Sequence, residues 1–142
     1  MANTNATNVK TGSVPGVKSM PQHLICNTVT AAVTTALALN DTITGPSIPA
    51  GAYLIDVILM STDLDTAGSP TITLDVGISG AATKFIAAST IGQTGGVARL
   101  GGTTGLGYSP TSDTPVIVTV SAAGTTKAAG TVVLSIVYTN DP

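Results

Sequence analysis

Few residues of this 142-residue chain could carry out acid–base, nucleophilic or metal chemistry. There is one histidine, His23, one cysteine, Cys26, no glutamate, and seven aspartates that are scattered along the sequence. An active site brings several acids, bases, nucleophiles or metal ligands together, and this chain offers few of them. The sequence therefore predicts a structural or binding protein that is not an enzyme and needs no cofactor.

The reactive residues closest in sequence do not form a catalytic arrangement. His23 and Cys26 are three residues apart in a strand-like segment, so their side chains point to opposite faces and do not pair as base and nucleophile. Asp63 and Asp65 form an Asp-x-Asp loop whose carboxylates would suit Ca²⁺. Aspartate is also a common turn residue, so a cation site and a simple turn both stay open for this loop.

Two more aspartates and the cysteine have structural interpretations. Asp56 and Asp75 lie on different predicted strands, but a glycosidase pair would need a sugar-binding cleft, and aromatic residues make up only 3% of the chain. We expect Asp56 to cap a strand pair or to meet a Lys or Arg at an interface. We expect Cys26 to be buried within its strand, because free cysteines are among the most buried residues.

The elements that must position these residues are strands. Residues 23–39 alternate apolar side chains with Thr and Ala, which predicts one long or two consecutive strands. Residues 53–60 are apolar on both faces apart from Asp56, which is typical of a central strand or of a strand at a subunit contact. Residues 71–79 alternate most clearly, with Thr71, Thr73 and Asp75 predicted to face outward and four side chains to face the core: Ile72, Leu74, Val76 and Ile78.

The second half of the chain continues this pattern with less regularity. Residues 83–89 suit either one helical turn or a short strand, and the Gly-rich residues 92–110 predict a long excursion with a weak strand near Val97. Residues 116–121 and 131–139 predict two strands whose connection suits a hairpin. With no long helical period and frequent turn signals, the chain predicts an all-β fold, an antiparallel, jelly-roll-like β-sandwich over residues 21–142.

Composition indicates a protein that hides much of its surface against neighbours. Charged residues make up 8% and apolar residues 43% of the chain, whereas charge keeps the surface of a soluble monomer hydrated. The net charge of −2 argues against bulk electrostatic attraction to nucleic acid or to an anionic membrane. No secretory signal or membrane-spanning apolar run is visible. We therefore expect an obligate homo-oligomer.

Residues 1–20 differ from the rest and predict an extended N-terminal arm. They are rich in Asn, Thr, Gly and Pro, contain two lysines and no acid, and show no sustained period. Such a segment has too little apolar surface to order itself. We expect a neighbouring subunit to hold it, with folding back onto its own domain as the alternative.

Several segments resemble small virion proteins of tailed bacteriophages. They are IPAGAYLIDV at residues 48–57, the loop TDLDTAGSP, the strand TITLDVGI, the segment ATKFIAAST, and a last strand ending in IVYTN at residue 140. Proteins of this group are often β-sandwich decoration or cement proteins of the capsid. The resemblance implies that this chain binds the major capsid protein on the capsid exterior, after synthesis in the host cytoplasm, and together with the low charge it favours a homotrimer.

A cement role assigns the arm as the anchor to the shell, through backbone hydrogen bonds and small apolar side chains. The candidate anchor residues are Val9, Lys10, Val14, Pro15, Val17, Lys18 and Met20. The main alternative is a receptor-binding or fibre-tip module for a host glycan, which should expose aromatic side chains. A third alternative is a major subunit of a tail tube or shell, for which the chain is short and lacks a long helix.

Overall fold

The protein folds into β-strands joined by loops. A computed structural model describes residues 24–101 and 105–140. Within them lie eight strands and one 3-10 turn at Ile91–Gln93. The strands are β1 (Leu24–Val33), β2 (Thr42–Ile48), β3 (Tyr53–Ser61), β4 (Thr73–Ile78), β5 (Ala81–Ser89), β6 (Gly96–Arg99), β7 (Thr114–Ala122) and β8 (Gly130–Thr139).

The strands form two four-stranded antiparallel sheets. Sheet I has the order β1-β8-β3-β6 and sheet II the order β2-β7-β4-β5. Only β4 and β5 are consecutive in sequence and paired; every other connection crosses from one sheet to the other. This order of eight strands is that of a jelly roll, and it confirms the predicted all-β sandwich.

The core lies between the sheets and is built from the alternating apolar residues. Ile72, Leu74 and Val76 are fully buried, and Ile78 packs against the core from its margin, so the register predicted for this strand is confirmed. Asp75 was expected to face solvent, and this is wrong: it is 7% exposed. Its Oδ1 accepts a hydrogen bond from the backbone N–H of Ala88 at 2.6 Å, where a bulge folds β5 against it.

Several strand predictions are refined by the structure. The first alternating segment ends as a strand at Val33, and β2 starts separately at Thr42. Residues 83–89 belong to a strand, β5, and a strand does occur around Val97, as β6. The predicted hairpin between the last two strands is wrong, because β7 pairs with β2 and β4 whereas β8 pairs with β1 and β3. Their connection is long enough to cross the roughly 10 Å between packed sheets.

The strand directions give the sandwich two different ends. The β3–β4 and β7–β8 crossovers share one end, as the registers of β3 with β8 and of β4 with β7 require. At the other end β1 begins at Leu24, which pairs with the last residue of β8, Thr139, and Thr139 pairs on its other side with the first residue of β3, Tyr53. The segment of residues 1–23 therefore joins the sandwich at the end opposite the two crossovers.

Candidate functional site

A buried aspartate holds the two crossovers together. Asp65, in the β3–β4 crossover, has no solvent exposure. Its Oδ2 accepts backbone N–H bonds from Thr71 at 2.7 Å, Ile72 at 3.3 Å and Thr125 at 3.0 Å, and its Oδ1 accepts one from Thr126 at 2.7 Å. Two of these donors belong to its own crossover and two to the β7–β8 crossover. We call this arrangement the Asp65 clamp.

The surroundings of the clamp are fitted to a carboxylate. Backbone bonds run on either side of it, from Thr66 N–H to the Thr126 carbonyl and from Ala128 N–H to the Leu64 carbonyl, both at 2.9 Å. A β carbon added at Gly124 would lie 3.1 Å from Asp65 Cγ, so glycine is what lets the crossover approach. Burial alone would raise the pKa of Asp65, but the four N–H donors outweigh it and hold the pKa well below its usual range.

The Asp-x-Asp loop is therefore a structural turn. The oxygens of Asp65 face hydrogen-bond donors, whereas a Ca²⁺ ion needs oxygens that point at the ion. Asp63 Oδ1 accepts the N–H of Asp65 at 2.9 Å, which is the local turn bond expected of aspartate. Nowhere in residues 24–101 and 105–140 do three or more His, Cys, Asp or Glu side chains gather in a way that could hold a metal ion.

The remaining reactive residues are dispersed. Asp56 binds Arg99 of the neighbouring strand β6 through two guanidinium nitrogens, so the arginine that it meets belongs to its own chain. Asp56 is in sheet I and Asp75 in sheet II, which separates the two carboxylates by the core. Cys26 is exposed, contrary to expectation, because the even residues of β1 face outward. His23 lies outside the described residues.

The aromatic residues do not form an open sugar-binding platform. Phe85 is buried and packs edge to face on Tyr108, with ring centroids 5.8 Å apart. The Lys84 ammonium lies 4.4 Å from the centre of the Tyr108 ring, which covers that ring. Of the described aromatic side chains Tyr53 is the exposed one, at 50%.

The outer face of sheet I carries apolar side chains. Cross-strand partners point to the same side of a sheet, and two outward rows here run from Cys26 to Val137 and from Val133 to Met60 and Val97. The row between them is mixed, with Thr28 and Ser135 sharing a hydrogen bond of 2.8 Å beside Ile58. Six large apolar side chains are exposed among the residues that the structure describes, and four of them belong to this face: Leu24, Tyr53, Met60 and Val97. We call this surface outer face I.

The outer face of sheet II is polar by comparison. Its outward rows pair Thr42 with Thr119 and Thr44 with Ile117, and Thr73 Oγ1 and Ser121 Oγ share a hydrogen bond of 3.0 Å. Asp75 lies in the same row as Thr42 and Thr119, so this face also carries a carboxylate near its centre. Outer face I is the face that is apolar enough to gain from being covered.

The predicted arm residues cannot be placed on either face. Val9, Lys10, Val14, Pro15, Val17, Lys18 and Met20 all lie outside the described residues, as does the predicted boundary between arm and sandwich. Sequence reasoning did not find the Asp65 clamp, although the loop itself drew attention. It did indicate outer face I, because an apolar run on both sides of residues 53–60 was interpreted as a possible subunit contact.

Comparisons with known proteins point to virus capsids. No family model matches the chain, and no curated protein sequence matches it. Among solved structures, a chain of the cyanophage Pam1 capsid asymmetric unit is 34% identical, covering 87% of this chain and 92% of that one with a TM-score of 0.78. A chain of the capsid of Ralstonia phage GP4 is 32% identical over 87% and 88%, with a TM-score of 0.76.

A third structure shares the fold at lower identity. It is a chain of the capsid structure of Helicobacter pylori bacteriophage KHP30, with 16% identity, coverage of 84% of this chain and 90% of that one, and a TM-score of 0.60. At the sequence level only the first two matches carry information beyond the fold. No helix among residues 24–101 and 105–140 has the length and apolar character needed to cross a membrane.

Proposed function

This chain belongs to the family of bacteriophage capsid proteins represented by the matched chains of Pam1 and GP4, and from that premise we propose that it is a decoration protein. In this proposal it is a non-enzymatic component of the virion that binds the outside of the head shell. Its partner is the major capsid protein, and it acts as a homotrimer.

The observation that carries the proposal is the extent of the likeness to capsid chains. The similarity covers most of the length of both chains in each comparison. The two chains therefore share the whole sandwich and not only a fragment of it. A sandwich that closes its own core between two sheets suits a subunit added to a shell. Decoration also explains the low share of charged residues, 8% of the chain.

The arm is the proposed attachment device. Its predicted anchors are small apolar residues, which would pack against the shell, and Lys10 and Lys18, which would pair with shell carboxylates. An extended segment can also add backbone hydrogen bonds to a neighbour. The first strand after the arm, β1, begins at Leu24, so attachment near that point would place the end opposite the Asp65 clamp next to the shell.

The test is decoration of phage particles that lack this protein. Purified full-length protein is added, particles are pelleted, and the bound amount is measured against concentration, with electron microscopy to locate it. We expect saturable binding to the outside of the head. Protein that stays in the supernatant, or that binds only tail structures, contradicts decoration.

The role of the arm is tested by charge reversal in the same assay. Lys10→Glu and Lys18→Glu should each weaken binding, whereas Lys127→Glu, on the exposed β7–β8 crossover, is the matched control and should not. If all three variants bound equally well, the sandwich and not the arm would carry the attachment to the shell. Binding to a host glycan array, together with absence from the head, would favour the receptor-binding alternative.

A further inference from the structure

We propose that outer face I is the contact surface between copies of this chain, turned toward the axis of the oligomer. The inference rests on the oligomer proposed above and adds which surface forms it. Its occupant is a second copy of the same chain.

The first argument is apolar exposure. Leu24 is 65% exposed, Val97 60% and Met60 36%, and they surround half-buried apolar residues of β8 and β3 on the same face. Water in contact with these side chains is released when a partner covers them. The outer face of sheet II has Thr and Ser at most corresponding positions, so it would gain less.

The second argument is charge. A symmetric oligomer repeats every charge near its axis, and like charges in a desolvated contact repel strongly. The charged residues of the described part of this face are Asp56 and Arg99, and they neutralise each other in an ion pair. The face therefore has no net charge to repeat, which suits contact with copies of itself.

The third argument is size. β1 and β8 have ten residues each, β3 has nine and β6 has four, so at ~3.3 Å per residue and ~4.8 Å between strands the face measures roughly 500 Å² before side-chain relief is counted. This is more than half of the ~800 Å² that each partner contributes to a stable protein interface. The exposed thiol of Cys26 lies within this area, opposite Val137, and gives a natural reporter of whether the face is covered.

The experiment places two carboxylates on each outer face in turn. The test variant is Met60→Asp with Val97→Asp, and the matched control is Thr44→Asp with Ser121→Asp, at exposed positions of sheet II. Sedimentation velocity gives the mass of each full-length protein, circular dichroism shows that it is folded, and maleimide labelling gives the reaction rate of Cys26.

We expect wild type and control to sediment at about three times 13.9 kDa, with Cys26 reacting slowly. The test variant should fall to the single-chain mass and its Cys26 should react faster. The inference is overturned if the test variant keeps the wild-type mass, if the control dissociates instead, or if Cys26 of an oligomeric wild type reacts as fast as a small thiol. A monomeric wild type also overturns it.

Other occupants give distinct results, each of which overturns the inference. A monomer with a protected Cys26 means that residues 1–23 of the same chain cover the face. A test variant that keeps its mass but no longer decorates particles means that the shell covers it. Decoration by wild type is measured separately, so a wrong interface and a wrong function are distinguished.

Discussion

The packing of the two sheets is tested most directly by exchanging volume between Gly45 and Leu134. Gly45 is in β2 of sheet II and Leu134, which is 1% exposed, is in β8 of sheet I. A β carbon at position 45 would collide with the Leu134 Cδ2 methyl and would lie 3.0 Å from the Val116 carbonyl oxygen. The glycine thus gives room to the leucine across the core.

Each single substitution should destabilise the fold. Leu134→Ala removes three buried carbons, worth about 2.4 kcal/mol at ~0.8 kcal/mol per CH₂, and the cavity raises the cost to about 3–4 kcal/mol, inside the usual range for such changes. Gly45→Ala overpacks the same place and should cost about 1–3 kcal/mol. The backbone at Gly45 is not in the positive-φ region, so strain there adds nothing.

The double variant should lose less stability than the sum of the losses in the two single variants. With the leucine methyls gone, the new alanine methyl occupies part of the cavity, and we expect a coupling of about 1–2 kcal/mol, within the range for residues in contact. The Val116 carbonyl oxygen still lies close, so the double variant should not regain wild-type stability.

The assay is urea unfolding followed by circular dichroism at one fixed protein concentration, because linkage to an oligomer makes stability depend on concentration. Gly45→Ala combined with Leu74→Ala is the control, since Leu74 is equally buried but is not among the closest neighbours of position 45. That pair should be additive. If the Gly45 and Leu134 changes were also additive, the two residues would not face each other and the register between the sheets would be wrong.

Three further predictions concern charges and the arm. Asp65→Asn should lower the urea midpoint at pH 7, because an amide nitrogen cannot accept the N–H bonds. The folded-state pKa of Asp65 is depressed. The carboxylate therefore adds to the stability of the fold above its unfolded-state pKa of about 3.9, and this stability is lost as pH falls through the folded-state pKa. The gap between the two proteins should therefore narrow in acid, and a constant gap would refute this. Arg99→Ala should change the free energy of unfolding of the single chain by less than about 1 kcal/mol, because the Arg99 side chain is 67% exposed there; a larger loss, measured by urea unfolding at a protein concentration too low for association, would show a stronger pair. Deleting residues 1–19 should leave a cooperative unfolding transition, and its absence would mean that the arm belongs to the core.

The fold was predictable from sequence where side chains alternate without interruption. Ile72, Leu74 and Val76 alternate with polar residues, and one register satisfies all of them. The sequence of β5 suits helix or strand because a bulge interrupts the strand: Ala88 has a φ of +48° and the pairing with β4 shifts there. Such a break depends on Asp75 of the neighbouring strand, which local sequence does not reveal.

The details of the site were harder to predict because they depend on contacts distant in sequence. Asp65 is bonded to Thr125 and Thr126, sixty residues further along, and only the fold brings these segments together. Cys26 was expected inside from the general behaviour of cysteine, although its even position in β1 argued for the outside. Here the period of the strand was a better guide than the residue type.

The Asp65 clamp gives the sandwich an asymmetry that suits a protein attached at one end. Apolar packing between sheets resists separation, but it does not hold loops in place. At the clamp end one carboxylate joins two crossovers through four charge-assisted hydrogen bonds, so the crossovers cannot move apart without losing bonds at a buried charge. At the other end the connections before β3 and before β7 are joined by Gly51 N–H to the Pro110 carbonyl at 2.8 Å and by Ala50 N–H to the exposed Asp113 carboxylate at 2.9 Å, so no buried charge is at stake there. Local opening begins where contacts are weakest, so we expect the loops at the end where β1 begins to adjust when a partner binds. In the proposed function this end lies next to the shell.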